Sequence, residues 1–114
     1  MKTKIAIILM ISIFGLLLTG CSQNNNQYVE ELAKCLTEKG ATMFGTEWCS
    51  HCKAQKKDFG DSFKNIVYVD CDKNKEECLR KGVGGYPTWK INNKNYPGEQ
   101  SIKRLASLSG CELS

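Results

Sequence analysis

Cys49 and Cys52, in the run Cys49-Ser50-His51-Cys52, stand between a short apolar run, Ala41 to Gly45, and a helix-patterned segment, Ser50 to about Phe59. That junction constrains the fold more than any other feature. A buried strand must deliver the chain into the first turn of a helix, where two cysteines three residues apart bring their sulfurs within bridging reach. The unpaired N–H groups and positive end of the helix stabilise a thiolate at the first of them. Thiolate is the attacking species in disulfide exchange, so Cys49 is the expected nucleophile and Cys52 the resolving thiol. His51, the single histidine of the chain, lies between them; as a cation or N–H donor near Cys49 it would favour the thiolate further.

The rest of the chain supplies elements to match. Val29, Leu32, Ala33 and Leu36 recur at helical spacing, predicting a helix over Tyr28 to Lys39 closed by Gly40. In the segment after the cysteine pair, Cys52, Gln55 (or Lys56) and Phe59 fall on one side and lysines on another. Asn65 to Asp70 is β-branched and aromatic and reads as a second strand. Asp72 is placed to cap a helix over Lys73 to Lys81, ended by Gly82. Thr88 to Ile91 is a third strand, and Asn92-Asn93 a tight turn into a fourth over Lys94 to Tyr96, ended by Pro97-Gly98. Ser101 caps a last helix through Leu108, with Gly110 beyond it. This α-β-α-β-α-β-β-α order predicts a single α/β domain over residues 28–114 with a sheet of parallel and antiparallel strands.

The chain's start predicts export. Lys2 and Lys4 precede a 14-residue apolar run, Ile5 to Leu18. A bilayer span needs about 20 apolar residues, so this run suits a signal segment better. Leu18-Thr19-Gly20-Cys21 resembles the lipobox of bacterial-type lipoproteins, in which the signal (residues 1–20) is cut before a cysteine that takes lipid. The alternative is a retained anchor helix with an unmodified Cys21. Either way the folded part is expected outside the cytoplasm and attached to a membrane. Ser22 to Gln27 is polar and reads with Cys21 as a tether (21–27), and six extended residues reach at most about 20 Å. Cys21 and the residues after it carry all 12 acidic and 14 of the 16 basic residues, a net charge of +2 with the signs interleaved, which argues against a nucleic-acid partner. Setting Cys21 aside leaves six cysteines, an even number in a small exported domain, which points to disulfides. Spacing alone leaves their pairing open.

Phe44-Gly45-Thr46-Glu47-Trp48-Cys49-Ser50-His51-Cys52 together with Gly85-Tyr86-Pro87-Thr88 resembles the thioredoxin superfamily. The resemblance implies a three-layer sandwich around a mixed four-stranded sheet. It also implies a cis-proline beside the cysteine pair, matched by position by Pro87, with the preceding backbone pairing with substrate as an added strand. Trp48, Tyr86 and Pro87 are thus the expected substrate-binding residues. Further stretches narrow the likeness: Gly40-Ala41-Thr42-Met43-Phe44-Gly45, Cys52-Lys53-Ala54-Gln55-Lys56-Lys57, Tyr68-Val69-Asp70-Cys71 and Gly85-Tyr86-Pro87-Thr88-Trp89. They are similar to the thioredoxin-like domain fused to bacterial homologues of vitamin K epoxide reductase. That domain takes oxidising equivalents from a quinone-linked membrane enzyme and passes them to thiol-containing exported proteins, and lipidation at Cys21 is expected here to take the place of covalent fusion.

Two departures bear on direction. The buried aspartate that assists the resolving cysteine in cytoplasmic thioredoxins aligns with Met43, and Ser50-His51 resembles the Pro-His of periplasmic oxidants with proline replaced. A better-stabilised thiolate makes the disulfide more oxidising, so disulfide donation is favoured over reduction or isomerisation. No metal and no cofactor beyond the redox-active Cys49–Cys52 disulfide is expected, and the domain is expected to be a monomer.

Four cysteines remain. Related domains carry cysteines near Cys71 and Cys78, which implies a local disulfide there, two buried thiols being the alternative. Cys35 and Cys111 are left over; paired, they would staple the two ends of the domain, and a relay of electrons to Cys49–Cys52 is the rival role. A zinc site over Cys49, Cys52, Cys71 and Cys78 would read C-x2-C-x18-C-x6-C, whose last gap is too long for a zinc ribbon. Glu47 reads as a solvated residue rather than a proton relay. Lys53, Lys56 and Lys57 read as a solvated helix face whose positive field adds slightly to thiolate stability. The reading of a different class is a non-catalytic, disulfide-stapled binding lipoprotein, in which Cys49–Cys52 is structural.

Overall fold

The computed structural model describes residues 25–112; the signal segment and Cys21 lie outside them. The chain runs α1 (Asn25–Glu38), β1 (Thr42–Gly45), α2 (Ser50–Phe59), a 3-10 segment (Gly60–Asn65), β2 (Val67–Asp70), α3 (Lys75–Arg80), β3 (Thr88–Ile91), β4 (Lys94–Pro97) and α4 (Ile102–Ser109). The sheet order is β2-β1-β3-β4. β1 pairs with β2 in parallel, Met43 opposite Tyr68, and with β3 antiparallel, Met43 opposite Trp89. This is the mixed four-stranded α/β fold expected from the sequence.

The parallel pair needs a crossover, and α2 with the 3-10 segment provides it. Gly60 ends α2 at φ 56°, its N–H bonded to the carbonyls of Lys56 and Lys57. Asn92 and Asn93, at φ 51° and 62°, make the two-residue turn between β3 and β4; positive φ at both central positions matches the twist of the flanking strands. Successive strand residues face opposite sides. Met43, Trp89 and Ile91 therefore meet Leu32 and Leu36 of α1, Phe59 of α2 and Leu105 of α4 in the main core. Phe44 and Val69 face the other way, against the smaller cluster of Cys71, Cys78 and Val83. Burying each large side chain of the main core contributes about 1.5–3 kcal/mol.

Boundaries differ from the sequence reading at several element ends, β2 for one starting at Val67 rather than Asn65, and three of the differences change local contacts. The first helix begins at Asn25, taking in Asn25–Gln27 of the segment read as tether; Gln27 Nε2 donates to Glu31 Oε1 at 3.3 Å, the spacing of one helical turn. The 3-10 segment, which no sequence signal marks, joins α2 to β2, and the Thr37 hydroxyl of α1 donates to its Asn65 carbonyl. Asp72 does not cap α3. The helix begins two residues later, at Lys75 after Asn74, because Asp70 Oδ1 accepts the Asp72 N–H at 2.9 Å and turns the chain there. The Asp72 carboxylate is thereby free to accept the Trp48 indole N–H at 2.7 Å.

Two disulfides tie the fold. Cys35 in α1 joins Cys111 after α4 across 76 residues, and Cys71 joins Cys78 across 7. The second bond takes up two of the four thiols that a zinc site would need. Among the described residues no helix is long and apolar enough to cross a membrane.

Candidate active site

β1 runs into a four-residue connection that ends at Cys49, the N-cap residue of α2. An N-cap side chain normally satisfies one of the helix's unpaired N–H groups with an oxygen. Here the Cys49 sulfur does so: it accepts the Cys52 N–H at 3.2 Å, and its thiol donates to the Tyr86 carbonyl at 3.6 Å. Cys49 and Cys52 are free thiols, the first 7% exposed and the second fully buried, so of the two residues only Cys49 reaches the surface.

The inner thiol sits in a tight seat. A Cβ added to Gly45 would lie 2.8 Å from Cys52 Sγ and 3.3 Å from Tyr68 Cε2, so only glycine lets β1 pass here. Burial, with smaller help from the hydrogen bond to Cys49 and the Cys49 charge, pushes the Cys52 thiol up to about 12 against the lowering effects of the Thr46 backbone and Lys56. Burial likewise raises the Tyr68 phenol, helped by the charges of Glu47 and Asp70. The two sulfurs therefore sit in different environments: one caps the helix N-terminus near the surface, the other is buried and held toward its protonated form.

The Tyr86–Pro87 peptide is cis and lies against the pair through the Tyr86 carbonyl. Trp48, 66% exposed, meets Tyr86 edge to face at 6.1 Å, its indole fixed by Asp72. A shallow cleft of about 210 Å³ continues from Tyr86 past Val83 and Leu79 to the Cys71–Cys78 bond. A larger cleft of about 650 Å³, lined among others by Asn26, Glu30, Lys57 and Ser62, contains no cysteine and lies apart from the exchange chemistry.

His51 is placed differently from the sequence expectation. It is exposed, and its Nδ1 contacts Glu99 Oε2 at 3.4 Å across to the segment before α4, whereas the hydrogen-bond partners of the Cys49 sulfur are both backbone groups. Lys56 is also not on a solvated face: its ammonium lies 4.1 Å from the Tyr68 ring centre and 3.3 Å from Glu47 Oε1. Its signal was available as a residue one turn beyond Cys52 on the same face. Gln55 settles as the inward residue. Its Oε1 accepts from Trp89 Nε1 at 3.0 Å and the Gln100 N–H at 2.8 Å, and its Nε2 donates to the Gln100 carbonyl at 3.0 Å. Among the described residues no group of three or more His, Cys, Asp or Glu is arranged to hold a metal ion.

The thioredoxin family model matches residues 21–108. The chain is 38% identical over 104 residues to the thiol-disulfide oxidoreductase LTO1 of Arabidopsis thaliana, covering 83% of this chain and 28% of that protein. It is 37% identical over 90 residues to protein disulfide isomerase-like 2-2 of Oryza sativa subsp. japonica, covering 66% and 24%. It is 34% identical over 90 residues to the probable protein disulfide-isomerase A6 of Medicago sativa, covering 66% and 25%. The chain spans about a quarter of the length of these relatives.

Proposed function

Because this chain belongs to the thioredoxin family, we propose that it is a thiol–disulfide oxidoreductase working through Cys49 and Cys52. The observation that carries this reading is the Cys49 sulfur in the N-cap position of α2, accepting the Cys52 N–H and open to a reactant while Cys52 is sealed beneath it. A thiolate there is held by the helix's positive end at no cost in reorganisation. Trp48, Tyr86 and Pro87 form the surface on which a polypeptide thiol or disulfide lies against Cys49, consistent with the exposed rings beside the sulfur.

We favour donation of the disulfide to exported proteins. A substrate thiolate attacks Cys49 Sγ of the oxidised pair, and Cys52 leaves with the electron pair and takes a proton. A second substrate thiolate then attacks the substrate sulfur of the mixed disulfide. Cys49 leaves as thiolate, so the substrate is oxidised and the pair reduced. The buried Met43 supports this direction, since no carboxylate stands at that strand position to help Cys52 attack. In the same proposal Cys21 carries the lipid that holds a monomeric domain at the outer membrane face. A quinone-linked enzyme resembling vitamin K epoxide reductase re-oxidises the pair, as the sequence likeness implies. The rice and Medicago relatives' names favour a second reading, isomerisation of existing disulfides.

The test is a Cys52→Ser variant, which should accumulate mixed disulfides through Cys49 and identify the partners. Absence of adducts at Cys49, with Cys49 unreactive to alkylation after mild reduction, would support a purely structural pair. A reduction potential at or below that of thioredoxin, about −270 mV, would sink the donor reading.

A further inference from the structure

We propose that Lys56, held in place by Glu47 and Tyr68, is the positioning charge that stabilises the Cys52 thiolate, standing in for the acid absent at Met43. The inference rests on exchange chemistry at Cys49–Cys52 and holds for either direction. When substrate attacks Cys49, the Cys49–Cys52 bond breaks and the electron pair leaves on Cys52. In reverse, the Cys52 thiolate attacks Cys49 Sγ of a mixed disulfide, the Cys49–Cys52 bond forms, and the substrate sulfur leaves as thiolate. Both paths pass through a Cys52 anion, which exchanges its proton with water.

That anion is costly where it forms, because Cys52 is fully buried beneath Cys49. Met43, on the inward side of β1, is also fully buried and is a thioether without charge. Lys56 lies one turn beyond Cys52 on α2, and helical side chains lean toward the N-terminus, which puts it on the face of the helix that carries Cys52. Two contacts hold the ammonium there: the Tyr68 ring at 4.1 Å and Glu47 Oε1 at 3.3 Å. The Tyr68 ring is itself beside Cys52, since both crowd the same face of Gly45.

The titratable and charged groups acting on Cys52 are Cys49, the N-cap residue of α2, and Lys56 within α2; Tyr68 of β2, beside Cys52, is in turn acted on by Glu47 from the β1–α2 connection and Asp70 of β2. Lys56 is the cation among them, and its field survives its partner's. The Lys56 side chain is 24% exposed and that of Glu47 67%, so water screens the carboxylate more than the ammonium.

A nearby opposite charge raises a thiolate population by about tenfold or more, and the accompanying fall in nucleophilicity leaves about a three- to fourfold gain in attack rate. The test uses the reduced chain, oxidised glutathione as probe, quenched flow and mass spectrometry of the Cys49–glutathione adduct. In Lys56→Met the adduct should form at the normal rate within about twofold and decay about three- to fourfold more slowly at pH 7. Lys56→Arg should restore decay, and Glu47→Gln, whose amide oxygen can still accept from the Lys56 ammonium, should not slow it. Lys56→Gln serves as the second charge-free variant if Lys56→Met is poorly folded.

Unchanged decay, failure of arginine to rescue, or equal slowing of both phases would overturn the proposal, the last by marking a structural role. Slower decay in Glu47→Gln than in Lys56→Met would overturn it in favour of Glu47 as a base. If no adduct forms at all, the exchange reading beneath it fails as well.

Discussion

Removing the Cys35–Cys111 bond as a Cys35→Ala/Cys111→Ala pair opens a loop of 76 residues, and in the chain-entropy model that loop is worth about 4.5 kcal/mol. The same arithmetic for Cys71–Cys78, separated by 7 residues, gives about 2.3 kcal/mol. The two double variants should therefore differ by about 2 kcal/mol, since three of the four sulfurs are fully buried, Cys35 is partly so, and alanine leaves similar small voids at each site. For a domain of this size the first variant should melt about 20–35 °C lower than the parent. Urea titration at 10–15 °C is the suitable assay, because a domain with about 5–10 kcal/mol of stability stays mostly folded there after the loss. Equal losses, or a larger loss for Cys71–Cys78, would refute the argument from loop length. Thiol exchange of the Cys35/Cys111 variant below its melting point should match the parent. Lost exchange with unchanged stability would instead make that disulfide a relay to Cys49–Cys52.

Gly45→Ala places a Cβ 2.8 Å from Cys52 Sγ, and should cost about 1–3 kcal/mol in urea unfolding while slowing exchange; a neutral effect on both would show that the seat relaxes. Gln55→Leu strands the Trp89 and Gln100 N–H groups in the core and should cost about 2–4 kcal/mol, with altered Trp89 fluorescence as the local report. The pH profile of stability should separate the two redox forms. Cys52 is raised from 9.0 to about 12 in the folded dithiol, so between those values the unfolded chain has lost a proton that the folded chain keeps. Stability of the reduced form is thus fully present below about pH 9 and falls above it, by up to about 1.4 kcal/mol per pH unit, until the folded thiol titrates. The disulfide form lacks that slope yet keeps any contribution from the raised Tyr68 phenol, so the difference between the forms reports the cysteine pair, with the slope above pH 9 coming from buried Cys52. Parallel profiles would contradict the buried seat.

Local chemistry is legible in the residues themselves. The strand-to-helix junction at Cys49, the glycine ends at Gly40, Gly82 and Gly110, the Asn92-Asn93 turn and the Ser101 cap all depend on residues within one turn of each other. Apolar spacing then tells which face of each element goes inward, and so the strand and helix order. Where a local signal has competitors it misleads. Asp72 is a plausible cap by its position alone, but Asp70 turns the chain first and leaves the later carboxylate to Trp48.

What the sequence by itself determined was the order of the four strands and four α-helices and the placing of two thiols at the start of α2. The tertiary structure alone decided which of the remaining cysteines met, because that pairing follows from α1 and the end of α4 lying side by side after 76 residues. It likewise decided that His51 turns to Glu99 while Lys56 turns in over Tyr68. A long polar side chain has several rotamers of nearly equal energy, and the neighbours that choose among them arrive from distant parts of the chain.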